Sequence, residues 1–553
     1  MFLKATGSAR LSTRRTTHTL DLTRIKPSVL GETVLPEDWL AHIIDNLPGL
    51  RSLIIHDLAA FDYRSLRVFN NWSDSVSVLR SNSSLRLFTA SLVVNAVSSS
   101  MFGAMEAFPA LVYLDFSSTT AVNKLDVLEK ISSVNTFPFL EILKLRNIGL
   151  TDAGLWKLAV GLGTRVWSLD VRRNHLTDTA VSCLLEHCFL PDEHVFSESY
   201  HDEQMQYMGA PGPLDDELSV SRRLVKSSSL RQHRTGITHL YISDNDLSLD
   251  SAKLLIKSWR LTALDLGKFT LRDHARLIPD KYRDALAANE FRETLHMQMT
   301  DGARLRYLRI DHRLITGDAI LLDKGIAAFK EGWTFWPSID WDFMEQGSIA
   351  YDKNFPGLGI HTLVLTGLPN TSARGWITKT LVAFLGKCNE MESDLHNDPR
   401  AIDSEGHPSS ILRELHLEMP EIFDQKVLEA HVEALDYLRA VEFDFSFFRE
   451  EVPRGDSSSS RGASHRPEAS APTEEDLYKG EIAKQLMVLQ TQHPSSWSGE
   501  VAVARPLGPQ ERESLVPSRY TKILTAGLQK SSFHFFHDTG TNLFHLQNTG
   551  TRI

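Results

Sequence analysis

The residues with the clearest capacity for chemistry form a cysteine–histidine cluster in the first half of the chain. Cys183, His187 and Cys188 lie close together, and His194 and His201 follow them. Thiolate and imidazole groups bind zinc, but zinc ligands are usually spaced as tighter pairs. Cys188 also occupies the closing apolar position of a sequence repeat, where a free cysteine serves as a small core residue. We therefore predict no metal site and no cofactor.

The sequence lacks the common motifs of catalysis and nucleotide binding. It contains no GxxxxGK[ST] phosphate loop, no GxGxxG after a strand, no HExxH and no GxSxG. Its formal net charge of −11 argues against a general nucleic-acid binder, which needs basic surface to displace counterions. We predict a protein that is not an enzyme and does not bind nucleic acid.

The cysteine count and the N-terminal composition bear on localisation. Three cysteines among 553 residues favour a reducing compartment without a disulfide framework. No apolar run approaches the roughly 20 residues of a membrane-spanning helix. Residues 1–18 carry four basic residues and no acid, as mitochondrial presequences do, but we interpret them as a flexible lead-in. These features favour the cytoplasm or nucleus and predict no membrane contact.

A six-residue pattern, apolar-x-x-apolar-x-apolar, recurs along most of the chain. An apolar residue follows five positions after several copies, and Asn174 and Asn245 lie two positions before it. We expect these asparagines to bond the backbone of neighbouring turns, whose polar groups would otherwise be buried without partners. Helical periodicity follows, and four residues are placed to cap those helices: Thr151 or Asp152, and Thr177 or Asp178. The predicted central strand positions are 20, 53, 85, 114, 143, 169, 240, 264, 308, 363, 415 and 441.

Two copies, LEILKLRNIGLTDAGLWKLAVGL at 140–162 and VWSLDVRRNHLTDTAVSCLLEHC at 166–188, carry a family resemblance. They resemble the leucine-rich repeats of the ribonuclease-inhibitor-like class, and those of F-box and GTPase-activating proteins built on the same repeat. The resemblance covers about 19–449, with interruptions. It implies an α/β fold: a curved solenoid with parallel strands on the concave face and helices outside.

The stretch LPEDWLAHIIDNLP, at residues 35–48, also looks like the first half of an F-box. However, LDLTRI upstream and LRSLII downstream both fit repeat strands. The apolar residues between them have the spacing of a repeat helix. We therefore interpret this stretch as one turn of the repeat rather than as an F-box.

Composition divides the rest of the chain. Residues 191–236 change from acidic to basic and are predicted to be a disordered insertion, while residues 317–358 form an aromatic-rich insertion. Residues 450–475 have the composition of a disordered linker. Residues 476–553 form a tail, predicted to contain a helix and to cap the solenoid.

Residues between the core leucines should project onto the concave face, because side chains alternate along a strand. With residue 85 as a strand centre, Arg86 and Phe88 belong to this face. Mixed charge there favours a protein partner, so we predict a non-catalytic interaction scaffold. The alternatives are a ubiquitin-ligase substrate receptor that contacts a ligase adaptor through an atypical or missing F-box, and a small-GTPase-activating protein. The candidate partner-binding residues are Asp115, Lys144, Arg146, Asp170, Arg172, Tyr241, Asp265, Arg309, His416 and Glu418.

Overall fold

The fold comes from a computed structural model and is given for the residues that the structure describes. They are 8–23, 39–56, 61, 84–93, 102, 104–190, 217–226, 235–258, 260–268, 305–316, 360–369, 371–372, 377–378, 380–381, 384–385, 412–419, 480–481, 500–506, 521–523 and 533–538. The chain forms two compact units. The first comprises 1–366, 398–412 and 542–553, and the second comprises 367–397 and 413–541.

The first unit is built on a parallel sheet in which each strand pairs with the next one along the chain. A crossover connection between each pair of strands makes all of them run the same way. Within the described residues its strands are β1 Thr19–Asp21, β2 Ser52–Ile54, β3 Leu87–Thr89, β4 Tyr113–Asp115, β5 Ile142–Lys144, β6 Ser168–Asp170, β7 His239–Tyr241, β8 Ala263–Gly267, β9 Tyr307–Asp311 and β10 Thr362–Thr366.

The pairing register confirms the predicted strand centres at every described position of this unit except one. Leu20 pairs with Leu53, and the row continues through Leu114 to Leu363. In β3, however, Phe88 rather than Leu85 occupies the central position. Leu85 is the first apolar residue of its six-residue pattern, and a shift of three positions exchanges the two faces of a strand. The assignment of Phe88 to the concave face was therefore wrong, and Leu87 and Thr89 occupy the row positions that we had given to Arg86 and Phe88.

Helices alternate with these strands. They are α1 Leu11–Thr16, α2 Trp39–Asn46, α3 Leu125–Ser132, α4 Asp152–Leu162, α5 Asp178–His187, α6 Glu217–Lys226, α7 Leu249–Lys257 and α8 Arg313–Thr316. Helices α3, α4, α5 and α7 pack against one another in chain order. A parallel sheet with stacked connecting helices is a solenoid-like α/β architecture, as the repeat predicted.

The two asparagines connect adjacent turns as predicted. Asn174 Oδ1 accepts hydrogen bonds from the backbone of Ile148 at 3.1 Å and Leu150 at 2.9 Å, and its Nδ2 donates to Leu145 O at 2.9 Å. Asn245 repeats this arrangement one turn later, accepting from Leu176 N at 3.1 Å. Each amide thereby satisfies backbone groups that the turn buries.

Helix capping follows the prediction only in part. Thr177 caps α5 by accepting a hydrogen bond from Thr179 N at 3.4 Å, whereas Thr151 precedes α4 without such a bond. Asp152 instead accepts from Thr177 N at 2.8 Å and Thr177 Oγ1 at 2.6 Å. Asp178 makes the equivalent contact with Ser248 N, at 2.8 Å. These aspartates therefore join consecutive turns rather than cap their own helices.

The second unit contains a smaller sheet. Strand β12, Glu414–Glu418, pairs in parallel with β14, Glu500–Pro506, which pairs in parallel with β16, Phe533–Asp538. Strand β15, Thr521–Ile523, joins β16 antiparallel. A separate pair is formed by β11, Thr371–Ser372, and β13, Gly480–Glu481. Parallel pairing thus extends beyond the predicted repeat boundary at residue 449.

Four predicted segments differ from the structure or lie outside it. Residues 11–16 of the expected flexible lead-in form α1, and the Arg14 Nη1 atom lies 3.4 Å from Asn46 Oδ1. Residues 217–226 of the expected disordered insertion form α6, because its buried side chains pack on the sheet. Strand β13 lies where we predicted a helix in the tail, since its backbone pairs with β11. The aromatic-rich insertion and the linker at 450–475 lie outside the described residues.

The F-box-like stretch lies within the sheet-and-helix repeat. Helix α2 follows β1 and precedes β2, and these two strands pair directly in parallel. Trp39 and Ile43 of α2 are buried, and the Trp39 ring meets the Phe61 ring edge-on at 6.1 Å. The described part of this stretch therefore has the position of a repeat helix, as predicted.

Candidate functional site

One face of the first-unit sheet, here called the ladder face, carries the side chains that point away from the central leucines. Its first row is Ser52, Leu87, Tyr113, Ile142, Ser168, His239, Ala263 and Tyr307. Its second row is Ile54, Thr89, Asp115, Lys144, Asp170, Tyr241, Asp265, Arg309 and Val364. Alternation along each strand places both rows on the same side.

Charged residues in the middle of the ladder face form a continuous set of ion pairs. Asp170 accepts from Arg146 Nη2 at 2.8 Å and from Arg172 Nη2 at 2.7 Å. Arg172 Nη1 also lies 3.5 Å from Asp265 Oδ2, and Asp265 Oδ1 accepts from Arg309 Nη1 at 2.8 Å. Both aspartates are buried, while the side chains of Arg172 and Arg309 are 13% and 16% exposed. The network is therefore largely removed from water.

Two cations of this set also lie near aromatic rings. The Arg172 guanidinium is 5.5 Å from the centroid of Tyr241, and the Lys144 ammonium is 5.6 Å from the centroid of Tyr113. At these distances the negative face of a ring attracts a cation. Asp115, on the neighbouring strand, accepts a hydrogen bond from Ser117 N at 2.8 Å.

The structure brings eight of the ten predicted partner-binding residues to the ladder face or its edge. Arg146 and Arg172 lie just beyond their strands, and both contact Asp170. His416 and Glu418 lie in β12 of the second unit. His416 is buried, with Nε2 3.3 Å from Glu414 Oε2. Eight of the predicted residues therefore lie in the first unit, and the other two lie in the second unit.

Helix α6 covers one end of the ladder face. Its Val220 and Leu224 side chains lie one helical turn apart and are buried in a cluster with four residues of the ladder face. These four residues, here called the α6 groove, are Ile54, Leu87, Tyr113 and Ile142. Between them, Ser221 Oγ lies 2.7 Å from Thr19 Oγ1 of β1. The groove is therefore apolar at its centre and polar at its border.

Two arginines hold the end of α6. Arg86 Nη1 donates to Leu224 O at 3.3 Å, and Arg51 Nη1 donates to Val225 O. Both carbonyls belong to the last turn, where carbonyl groups lack helical partners and the helix dipole is negative. Sequence analysis did not identify Arg51 or the groove, and it placed Arg86 on the concave face without assigning it a contact. The apolar spacing of Val220 and Leu224 within a charged segment was the available signal.

Glu141 and His312 have strongly shifted pKa values near this face. Burial raises the pKa of Glu141 from 4.5 to about 7, although a hydrogen bond from Trp167 and the charge of Arg86 oppose the shift. Burial lowers the pKa of His312 from 6.5 to about 4. Its Nδ1 lies 2.9 Å from Thr316 Oγ1, consistent with a neutral ring in a polar contact.

The two described cysteines of the cysteine–histidine cluster lie in the core of the fold. Cys188 is buried, and its thiol donates to Ala159 O at 3.6 Å. Burial raises the pKa of Cys188 to about 12, which disfavours the thiolate that binds metal. Cys183 is buried on α5, whereas His194 and His201 lie outside the described residues. Cys188 thus occupies a core position, as predicted from the repeat.

No helix in the described part of the chain is long and apolar enough to cross a bilayer. Within the same residues, no group of three or more His, Cys, Asp or Glu side chains could hold a metal ion. No protein-family model matches the chain, and the curated proteins contain no significant match.

Proposed function

We propose that the chain is a leucine-rich repeat protein of the ribonuclease-inhibitor-like class that binds a protein partner on its ladder face. The parallel strands, the stacked helices and the asparagine bonds between turns support the repeat class. The role is a non-catalytic scaffold that acts through shape and charge complementarity. Solenoids commonly bind partners on the sheet face that their helices leave open.

The observation that carries this proposal is the row of charged and aromatic side chains supplied by consecutive strands. Asp170, Asp265 and their arginines place both signs of charge side by side, with Tyr241 between them. Mixed charge gives orientation and selectivity to a protein interface, and arginine and tyrosine are enriched at interface hot spots. Most of the described side chains of this face are buried, so binding of a partner requires that they become accessible.

Affinity capture with the tagged full-length chain tests the proposal. Reversing Arg146 or Arg172 would confuse binding with folding, because both pair with the buried Asp170 carboxylate. Lys144→Met instead removes a ladder-face charge while retaining an apolar side chain of similar length. We expect it to reduce the recovery of its main protein partner by about tenfold at equal amounts of folded protein.

Lys157→Met is the matched control. Lys157 lies on α4, where its half-exposed ammonium pairs with Glu129 at 3.2 Å. We expect this change to leave the captured proteins as they are in the wild type. Identical protein sets for all three chains would contradict ladder-face recognition. A ligase adaptor or a small GTPase among the retained proteins would redirect the assignment to the corresponding repeat family.

A further inference from the structure

The insertion that contains α6 supplies the cover for the α6 groove. Val220, Ser221 and Leu224 of the helix are fully buried, while Leu218 is 39% exposed and Arg222 faces solvent. A ten-residue helix is shorter than the roughly 12–15 residues that hold helical structure in water. The helix therefore depends on its contacts with the groove.

The contacts that hold α6 depend little on its exact sequence. Arg51 and Arg86 bind backbone carbonyls, which any helix ending at this point presents. The four apolar groove residues meet two aliphatic side chains spaced by one helical turn. Many amphipathic helices carry such a pair, so the groove recognises a helix class rather than one sequence.

The fit between α6 and its surroundings is incomplete. Among the described residues, the buried hydroxyls of Ser52 and Thr89 make no hydrogen bond. Both lie in the ladder-face rows beside Ile54 and Leu87. Unsatisfied buried polar groups are unfavourable, so a ligand that bonds these hydroxyls would gain over α6. The groove has polar capacity that its resident helix leaves unused.

We propose that the α6 groove is a binding site for an amphipathic helix of a protein partner, and that α6 occupies it as an internal substitute. The partner helix presents two aliphatic side chains one turn apart, a small hydroxyl-bearing residue between them, and free carbonyls at its C-terminal end for Arg51 and Arg86. Binding displaces α6 and gives access to this end of the ladder face. This inference rests on the proposed scaffold function and specifies its ligand.

A competition experiment with full-length protein tests this mechanism. The probe is a fluorescent peptide with the sequence of residues 215–228, DDELSVSRRLVKSS, measured by fluorescence anisotropy. Leu224→Asp places a charge in the apolar contact and releases α6. We expect this chain to bind the peptide at least about tenfold more tightly than the wild type, in which α6 competes for the groove.

Leu218→Asp is the matched control, because it makes the same change on the exposed side of the same helix. We expect it to bind the peptide as the wild type does. A peptide that carries aspartate at the position of Leu224 should fail to bind any of the chains. Equal binding by all these chains would overturn the proposal.

Two further readouts separate this inference from related explanations. Sedimentation should show a monomer for wild-type protein, since a dimer that exchanges α6 would make a second copy the occupant and overturn partner binding. If Lys144→Met loses its captured partner while Leu224→Asp leaves peptide binding unchanged, the scaffold function stands and this inference fails. Tighter peptide binding with no effect of Lys144→Met would overturn the scaffold assignment while retaining the α6 groove as a helix site.

Discussion

Asp170 provides the sharpest test of how the ladder face contributes to folding. Its buried carboxylate accepts from Arg146 Nη2 at 2.8 Å, from Arg172 Nη2 at 2.7 Å and from Arg172 Nε at 3.0 Å. Asp170→Asn preserves the shape but removes the negative charge between two poorly hydrated guanidinium groups. Removing one member of a buried ion pair typically costs about 3–5 kcal/mol. We expect a loss of unfolding free energy in that range.

Hydrogen exchange of the β5–β7 backbone amides measures this effect within the first unit. A loss of about 3–5 kcal/mol corresponds to exchange that is roughly a hundredfold to a few thousandfold faster, where exchange reports unfolding. Asp244→Asn is a matched control, because Asp244 pairs with Arg173 at 3.4 Å in a half-exposed site. Exposed pairs contribute about 0–1 kcal/mol, so this variant should exchange almost as the wild type does.

Equal, small effects of the two substitutions would refute the reasoning about Asp170. The buried network would then contribute little to folding, and its charges would be available for partner binding without a stability penalty. A large effect confined to Asp170→Asn would instead mean that charge reversal at Arg146 or Arg172 reports folding as well as recognition. Interaction assays on this face would then rely on Lys144→Met, with Lys157→Met as its control, rather than on charge reversal at these arginines.

Three further substitutions test the shifted groups and the turn-to-turn bonds. Glu141 has a folded pKa of about 7, above its ordinary 4.5. Its contribution to the free energy of unfolding is therefore present at low pH and is lost as the pH rises through 7, where the buried carboxyl becomes charged. Urea unfolding should show Glu141→Gln gaining about 3 kcal/mol on the wild type between about pH 4 and pH 8. His312 has a folded pKa of about 4, below 6.5, so wild-type stability should fall relative to His312→Asn as pH drops from 6.5 to 4, measured the same way. Asn174→Asp loses its amide donors to Leu145 O and Val171 O and should destabilise the fold by about 2–4 kcal/mol, visible as faster amide exchange at Leu150.

The sequence determined the repeat and most of its strand register. Core leucines recur with the alternation of a buried strand, and this local pattern placed Leu143, Leu169 and Leu240 opposite one another. The asparagine role was also predictable, because a side-chain amide presents an acceptor oxygen and two N–H donors and can bond several backbone groups of a tight turn at once. At β3 the same pattern was misaligned, since Leu85 and Phe88 are both apolar residues of one six-residue copy.

Backbone conformation at the strand ends was decided by the stacking of turns. Leu92, Ser118, Asn147, Arg173 and Asp244 all have positive φ, from 54° to 59°, at equivalent positions. Apart from glycine, mainly asparagine, aspartate and histidine adopt that region, so nothing in the residue types predicts it at Leu92 or Arg173. The backbone N–H of Arg173 donates to Ser243 O of the following turn at 2.9 Å, and this contact with the next turn accompanies the unusual geometry.

The sequence by itself established a solenoid-like α/β repeat and the residues that line one face of its sheet. Only the tertiary structure revealed that this face is buried, that Asp265 joins Arg172 across 93 positions of sequence, and that α6 lies over β2–β5. Hydrophobic periodicity specifies which way a side chain points, because it depends on neighbours along the strand. What covers that side chain depends on where an irregular insertion returns to the fold, and local periodicity carries no information about that position.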